Sequence, residues 1–95
     1  MLSQYQDKEK FRIFFSELEF YEDMEILAQK FVDNLNAKVI DKLDGPYSRI
    51  WFIEIDIHLF KLIIDESYGS SIVAEKAPDI DALKELMPLI EKFIH

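Results

Sequence analysis

Few residues in this sequence have the type and spacing that catalysis or metal binding needs. His58 is the only internal histidine, and Asp56 lies two positions before it. Alternate residues of an extended strand point to the same side, so this carboxylate and imidazole are the best candidates for acid–base catalysis or metal binding. A metal site would normally need a third ligand, and no HxH or HExxH motif supplies one. We interpret His58 as a histidine at a hairpin tip, and we expect no metal, no cofactor and no catalytic residue.

Residues 67–71, Ser-Tyr-Gly-Ser-Ser, are the nearest approach to a phosphate-binding or nucleophile loop. A Walker A motif needs a longer glycine spacing and a lysine, and a nucleophile elbow needs Gly-x-Ser-x-Gly. Neither pattern is present in the sequence, and neither histidine has a serine and an acid at a recognisable spacing. We interpret this segment as a plain turn.

An acidic run surrounds the start of a predicted helix. Its members are Glu17, Glu19, Glu22, Asp23 and Glu25. Paired carboxylates perform acid–base chemistry when burial separates their pKa values, whereas carboxylates at a helix start are usually solvated. We interpret the run as a solvated surface, with docking of a basic partner as the alternative.

The charge balance narrows the class of partner. The chain has 19 acidic and 11 basic residues, for a net charge of −8, and its one dense basic group is Lys8, Lys10 and Arg12. Phosphate backbones and anionic membranes are repelled by such a surface unless its basic residues cluster strongly. We interpret the basic group as a solvated edge and expect neither a nucleic-acid nor a membrane partner. A basic protein is compatible with the charge.

Length and composition predict one compact domain over residues 1–95, with residues 1–9 frayed. Hydrophobic residues make up 49% of the chain, which argues against disorder. Cysteine is absent, and the N-terminal residues lack the basic and apolar regions of a signal peptide. Both features favour a cytoplasmic location.

Two amphipathic helices are predicted. Residues 22–35 carry apolar side chains at the i, i+3, i+4, i+7 spacing, and Asn36 can end that helix in a left-handed conformation. Residues 80–94 repeat the pattern after a predicted N-cap at Asp79. Pro88 lies inside this second helix, where it is expected to cause a kink or a break into two short helices.

The remaining segments favour strands. Residues 10–16 alternate apolar and polar side chains, and their aromatic and β-branched content favours a strand over the helix that also fits their spacing. Further strands are predicted over residues 37–43, 49–55, 58–64 and 71–75, with a Gly-Pro turn at 44–48. The order β-α-β-β-β-β-α predicts an α+β fold, with an antiparallel four- to five-stranded sheet and both helices on one face.

The most informative pattern is the distribution of side chains in residues 49–64. If Asp56-Ile57 is a two-residue hairpin turn, Trp51, Ile53 and Ile55 share one face with His58, Phe60 and Leu62. The opposite face then carries Ile50, Phe52, Glu54, Leu59, Lys61 and Ile63. Four of these six side chains are large and apolar, which is unusual for a solvated face. The face either associates, most simply in a homodimer, or is covered by another element; a longer hairpin loop would change the register.

We therefore predict a small, acidic, non-enzymatic protein-interaction module, of an inhibitor or immunity type or a chaperone or adaptor type. The predicted partner-binding residues are Ile50, Phe52, Leu59, Lys61 and Ile63. The alternative is a small-ligand binder or enzyme with a pocket between sheet and helices, and with His58, Asp56 or Tyr68 at its rim. A filled core with an apolar outer patch favours the first hypothesis, and a deep pocket with convergent polar groups favours the second.

Overall fold

The computed structural model of the chain describes residues 3–6, 9–15, 21–67 and 69–94. Its strands are β1 (Ser3–Gln6), β2 (Phe11–Phe15), β3 (Lys38–Asp44), β4 (Ser48–Ile55), β5 (His58–Asp65) and β6 (Gly69–Ala74). Its helices are α1 (Met24–Leu35), which follows a short 3₁₀ helix at Tyr21–Asp23, and α2 (Ala77–Phe93).

The described strands form one antiparallel sheet of six strands in the order β1-β2-β6-β5-β4-β3. This confirms the predicted α+β class, and residues 11–15 are a strand as expected. The sheet has more strands than the four to five predicted, because Ser3–Gln6 lies in the segment expected to fray. All four of its side chains are exposed, so no apolar alternation marks this edge strand in the sequence.

The core lies between the two helices and one face of the sheet, which we call the inner face. It contains strand residues Phe11, Ile13, Phe15, Trp51, Ile53, Ile55, Phe60, Leu62, Ile64, Ile72 and Ala74. Helices α1 and α2 contribute Met24, Leu27, Ala28, Phe31, Ile80, Leu83 and Ile90. The ring of Phe31 lies 5.1 Å from that of Phe93 and 6.1 Å from that of Phe15, so this aromatic group ties α1 to both α2 and the sheet.

The β4–β5 hairpin has the predicted two-residue turn. Ile55 pairs with His58, and the register continues through to Ser48 and Asp65 without a shift. Asp56 adopts a φ of 55°, in the left-handed region. Aspartate tolerates that region better than most side chains do, which explains how the hairpin turns without glycine. The assignment of side chains to the two faces of the hairpin is therefore confirmed.

Helix α1 ends as expected, with Asn36 at a φ of 54° and its backbone N–H donating to the carbonyl of Phe31. Helix α2 begins earlier than predicted, at Ala77 instead of residue 80. Pro78 explains the difference, since proline is well suited to the first positions of a helix. Asp79 consequently lies within the first turn and is not the N-cap, a position that Lys76 takes.

Pro88 does not break helix α2, which is assigned as one segment of 17 residues. Leu83 and Ile90 lie on either side of the proline and are both fully buried in the core. Because the core anchors both halves of the helix, the lost backbone hydrogen bond does not divide it. In the described part of the chain, no helix is both long and apolar enough to cross a membrane.

Candidate functional site

The five residues predicted to bind a partner share one face of the central β4–β5 hairpin. Ile50 pairs with Ile63 and Phe52 pairs with Lys61, while Leu59 lies opposite Glu54. Helices α1 and α2 pack on the other side of the sheet. Leu59 is 44% exposed, and Ile50, Phe52, Lys61 and Ile63 are partly exposed. The structure therefore places all five side chains together, on the side of the sheet that faces away from both helices.

Cross-strand pairing extends this surface across all six strands, because residues directly opposite each other on adjacent strands lie on the same face. One row across the sheet consists of Tyr5, Arg12, Val73, Lys61, Phe52 and Asp41. The adjacent row consists of Ser3, Phe14, Ser71, Ile63, Ile50 and Leu43. We call these two rows, with Leu59 and Glu54, the outer face.

Exposure varies across the outer face. Tyr5 and Leu43, on the two edge strands, are 55% and 56% exposed. Ser71 and Val73, on β6, are each only 2% exposed. The accessible apolar area is therefore concentrated on β3, β4 and β5 at one end, and on Phe14 and Tyr5 at the other.

A groove of about 160 Å³ opens at the end of the outer face nearest helix α2. Its lining consists of Phe52, Leu59, Phe60, Lys61, Val73, Glu75, Lys76 and Asp79. A cavity of about 150 Å³ is large enough to hold a benzene ring, so this groove matches a single aromatic or branched side chain. Sequence reasoning missed the contribution of Glu75 and Lys76, because it extended the last strand to residue 75, whereas β6 ends at Ala74 and the chain then turns towards α2.

Lys61 is the charged residue among the predicted five, and its charge is paired within the chain. Its Nζ lies 2.6 Å from Oε1 of Glu75 and 5.7 Å from the centre of the Phe52 ring. A lysine held in this way presents its aliphatic stem to the surface while its ammonium group stays neutralised. Lys61 can therefore lie within an apolar contact without an unpaired charge.

His58 lies at the hairpin tip, next to the turn residue Asp56, but its hydrogen-bond partner comes from helix α2. Asp56 is exposed in the turn, whereas the Nδ1 of His58 lies 3.0 Å from Oδ1 of Asp79 in helix α2. Sequence spacing could not show this pair, because its partners are 21 positions apart and meet only when α2 packs on the sheet. In the described ranges no group of three or more histidine, aspartate and glutamate side chains is arranged to hold a metal ion.

A second charged cluster, which sequence reasoning also missed, lies on the inner face around Arg49. Its Nε donates to Asp44 Oδ1 over 2.9 Å, and its Nη2 donates to Glu25 Oε1 over 2.8 Å. Nε1 of Trp51 also donates to Asp44, over 2.9 Å. Arg49 lowers the pKa of both Glu25 and Asp44 below their usual range, mainly through its hydrogen bonds to the two carboxylates. The arginine is 6% exposed, so this cluster holds α1 against the sheet edge.

Three further predictions concern the acidic run, the serine-rich segment 67–71 and Tyr68. Glu25, from the acidic run, pairs with Arg49, while Glu17 and Glu19 lie outside the described residues. Ser70 is buried and donates to the carbonyl of Phe15, a structural contact. Tyr68, considered at the rim of a pocket, lies outside the described residues.

Comparisons with protein-family models, with curated proteins and with solved structures find no match to this chain.

Proposed function

We propose that this chain is a non-enzymatic protein-interaction module that binds a partner protein on the outer face of its sheet. One observation carries the proposal. The central hairpin presents Ile50, Phe52, Leu59 and Ile63 on the side of the sheet opposite both helices, where Leu59 is 44% exposed and the other three are partly exposed. Contiguous apolar surface of this kind usually marks an association site.

The groove beside Phe52 and Leu59 strengthens the proposal. Binding energy at protein interfaces is concentrated in a few anchor side chains that fill pockets, and the groove has room for one such side chain. Its apolar floor and its charged rim of Lys61, Glu75 and Lys76 resemble the usual arrangement of an interface, with an apolar centre and a polar border.

The partner is a protein, and a second copy of the chain is the simplest one. For a different partner, the net charge of −8 favours a basic protein, since opposite charges accelerate encounter and disfavour wrong partners. An inhibitor that masks a basic protein, a chaperone and an adaptor all fit this chemistry. The absence of cysteine supports a cytoplasmic setting.

Affinity capture with matched variants tests the proposal. The tagged chain is used as bait for a host extract and for an untagged copy of itself, beside Phe52→Glu and Ile63→Glu, which place a charge on the outer face. Ile26→Glu and Leu89→Glu add the same charge at exposed positions on the helices and serve as controls. We expect the wild-type bait and the two helix controls to retain the same protein, and the two outer-face variants not to retain it.

Circular dichroism confirms that each bait is folded before it is used. Two outcomes would overturn the proposal. One is a folded chain that retains no protein, and the other is retention that Phe52→Glu and Ile63→Glu leave unchanged.

A small-ligand site is the second candidate function, because Asp79 both lines the groove and contacts His58. A carboxylate that holds Nδ1 leaves Nε2 of the imidazole for a ligand or for proton transfer. Amide chemical-shift changes at Leu59, Lys61 and Lys76, in a screen of small aromatic acids and amines, would support this candidate. Shifts scattered over the surface would count against it.

A further inference from the structure

We propose that the outer face binds a second copy of this chain through a two-fold axis that runs parallel to the strands. This inference depends on the proposed function, since it names the occupant of the same surface. Its basis is the placement of charges and apolar side chains in the two rows of the outer face.

Opposite charges lie near the two ends of one row. Arg12 is on β2, next to the β1 edge, and Asp41 is on the β3 edge strand. Between them are Val73, Lys61 and Phe52, and the charge of Lys61 is paired with Glu75. Arg12 is half-buried beside the Phe14 ring, and Asp41 is exposed. The row is therefore positive towards one edge of the sheet and negative at the other.

The two charges meet different residues of the second copy when the two-fold axis runs across the strands and when it runs along them. In a homodimer whose sheets pack face to face, the two-fold axis lies in the plane between them. An axis across the strands that passes through this row would place Arg12 against Arg12 of the second copy, and Asp41 against Asp41. An axis along the strands reverses the strand order, so that β2 of one copy faces the β4–β3 end of the other.

In the second arrangement each charge meets its opposite. With the axis between β5 and β6, and with the packed sheets about 10 Å apart, Arg12 lies over Phe52 of the second copy, offset sideways from Asp41 of that copy by about one strand spacing of 4.8 Å. An arginine side chain spans that distance, so it can stack on the aromatic ring and reach the carboxylate. The same contact occurs twice, because the interface is self-complementary.

The other row supplies the apolar contact. Under the same axis, Phe14 on β2 faces Ile50 on β4 of the second copy, and Ser71 on β6 faces Ile63 on β5. Rotation about an axis along the strands does not change the height of a residue along its strand. This row of one copy therefore packs on the same row of the second copy. The contacts of this row are therefore Phe14 on Ile50, made twice, and Ile63 over the small side chain of Ser71, which is 2% exposed within its own chain.

The area is adequate for a specific dimer. Six strands spaced about 4.8 Å apart span about 24 Å, and strands of four to eight residues are about 13–26 Å long. The flat footprint is thus roughly 500 Å², and protruding side chains raise the accessible area towards the roughly 800 Å² that a standard interface buries on each partner.

Charge reversal tests both the occupant and the axis. Arg12→Glu and Asp41→Arg each place like charges together twice in the homodimer, so we expect each variant to weaken dimerisation by about tenfold in sedimentation equilibrium. An equimolar mixture of the two variants restores opposite pairs at both contacts, and we expect a heterodimer close to wild-type affinity. The double variant Arg12→Glu/Asp41→Arg should also recover.

Lys92→Glu and Asp33→Arg make the same charge changes at exposed positions of the helices, and they should leave the dimer unchanged. Far-ultraviolet circular dichroism shows whether each variant is folded. If Arg12→Glu does not fold, the neutral variants Arg12→Gln and Asp41→Asn replace it. They remove the attraction between the two charges without adding repulsion, so we expect a smaller weakening of dimerisation.

Three results would overturn the inference: a wild-type chain that is monomeric at several hundred micromolar, a dimer that Phe52→Glu leaves intact, or variants whose mixture does not recover. A monomeric chain that still captures a host protein through Phe52 would overturn the second copy as occupant while supporting the proposed function. A monomeric chain that captures nothing would remove both.

Discussion

Arg49 and Glu25 join the sheet to helix α1 through a bidentate ion pair, in which Nη1 lies 3.0 Å from Oε2 and Nη2 lies 2.8 Å from Oε1. The planar guanidinium also contacts Asp44, so it bridges α1 and β3 from its position in β4. The arginine side chain is 8% exposed, whereas that of Glu25 is 60% exposed. The cation is therefore the more buried partner, and its removal should matter more than the removal of either carboxylate.

Replacement of Arg49 by methionine should lower the free energy of unfolding by about 2 kcal/mol, because hydrogen bonds to charged groups contribute about 1.5–3 kcal/mol. Methionine also removes the guanidinium from its place 5.0 Å from the centre of the Trp51 ring, so the loss reports the hydrogen bonds together with this cation–π contact. Urea denaturation measures the change. Lys92→Met, at an exposed helical position, is the control and should change the stability by less than about 0.5 kcal/mol. An equal loss in both variants would show that Arg49 is not a structural bridge.

The same cluster predicts how stability depends on acidity. Arg49 lowers the pKa of Glu25 and Asp44 in the folded chain, so at mildly acidic pH the unfolded chain binds more protons than the folded one. Their contribution is present above the ordinary carboxyl pKa values, near 4, and is lost as the pH falls through the lowered folded values. We expect the urea midpoint to fall between about pH 5 and pH 3, and to fall less steeply in Arg49→Met. Parallel curves for the two proteins would contradict this assignment.

The pair of His58 and Asp79 should hold the hairpin tip against the first turn of α2. Asp79→Ala removes both this contact and a carboxylate near the positive end of the helix, and we expect a loss of about 1 kcal/mol. Amide exchange in the first turn of α2 should accelerate in the same variant. Asp81→Ala, at an exposed position of the same helix, is the control.

A double-mutant cycle separates these two effects. If His58 and Asp79 act together, His58→Ala should cost much less in the Asp79→Ala background than in the wild-type chain. Additive losses would show that the two side chains contribute independently.

The left-handed φ of Asp56 predicts the response of the hairpin turn to substitution. Asp56→Val should lower the free energy of unfolding by about 1–2 kcal/mol, since a β-branched side chain is strained in that region. Asp56→Gly removes the strain and should be neutral or stabilising, by up to about 0.5 kcal/mol, after the entropy cost of glycine. Thermal or urea unfolding checks both changes. Ile57→Gly, whose position has no positive φ, should only destabilise.

Local patterns predicted most of the fold, and their failures have specific causes. Strand β1 was missed because all its side chains are exposed, and a strand at a sheet edge needs no apolar alternation. The start of α2 was placed three residues late because Asp79 resembles an N-cap, although Pro78 in the first turn set the true beginning. The break that Pro88 was expected to allow does not occur, because the core holds the helix as one segment.

The outer face of the central hairpin was predictable for a different reason. Its side-chain period of two depends only on the turn length, so the position of Asp56-Ile57 assigned Ile50, Phe52, Leu59, Lys61 and Ile63 to one side. The two rows across six strands were not predictable, because the place of β2 beside β6 is a long-range pairing.

By itself, the sequence determined what short-range geometry controls: helical and strand periods, the hairpin register, and the excess of apolar side chains over what one sheet face can bury. Only the tertiary structure decided which distant residues meet, such as His58 with Asp79, Arg49 with Glu25, and Arg12 in one row with Asp41. The physical reason is that these relationships arise from strand order and helix docking. Both are set by the packing of the whole core, and no local pattern of residues records them.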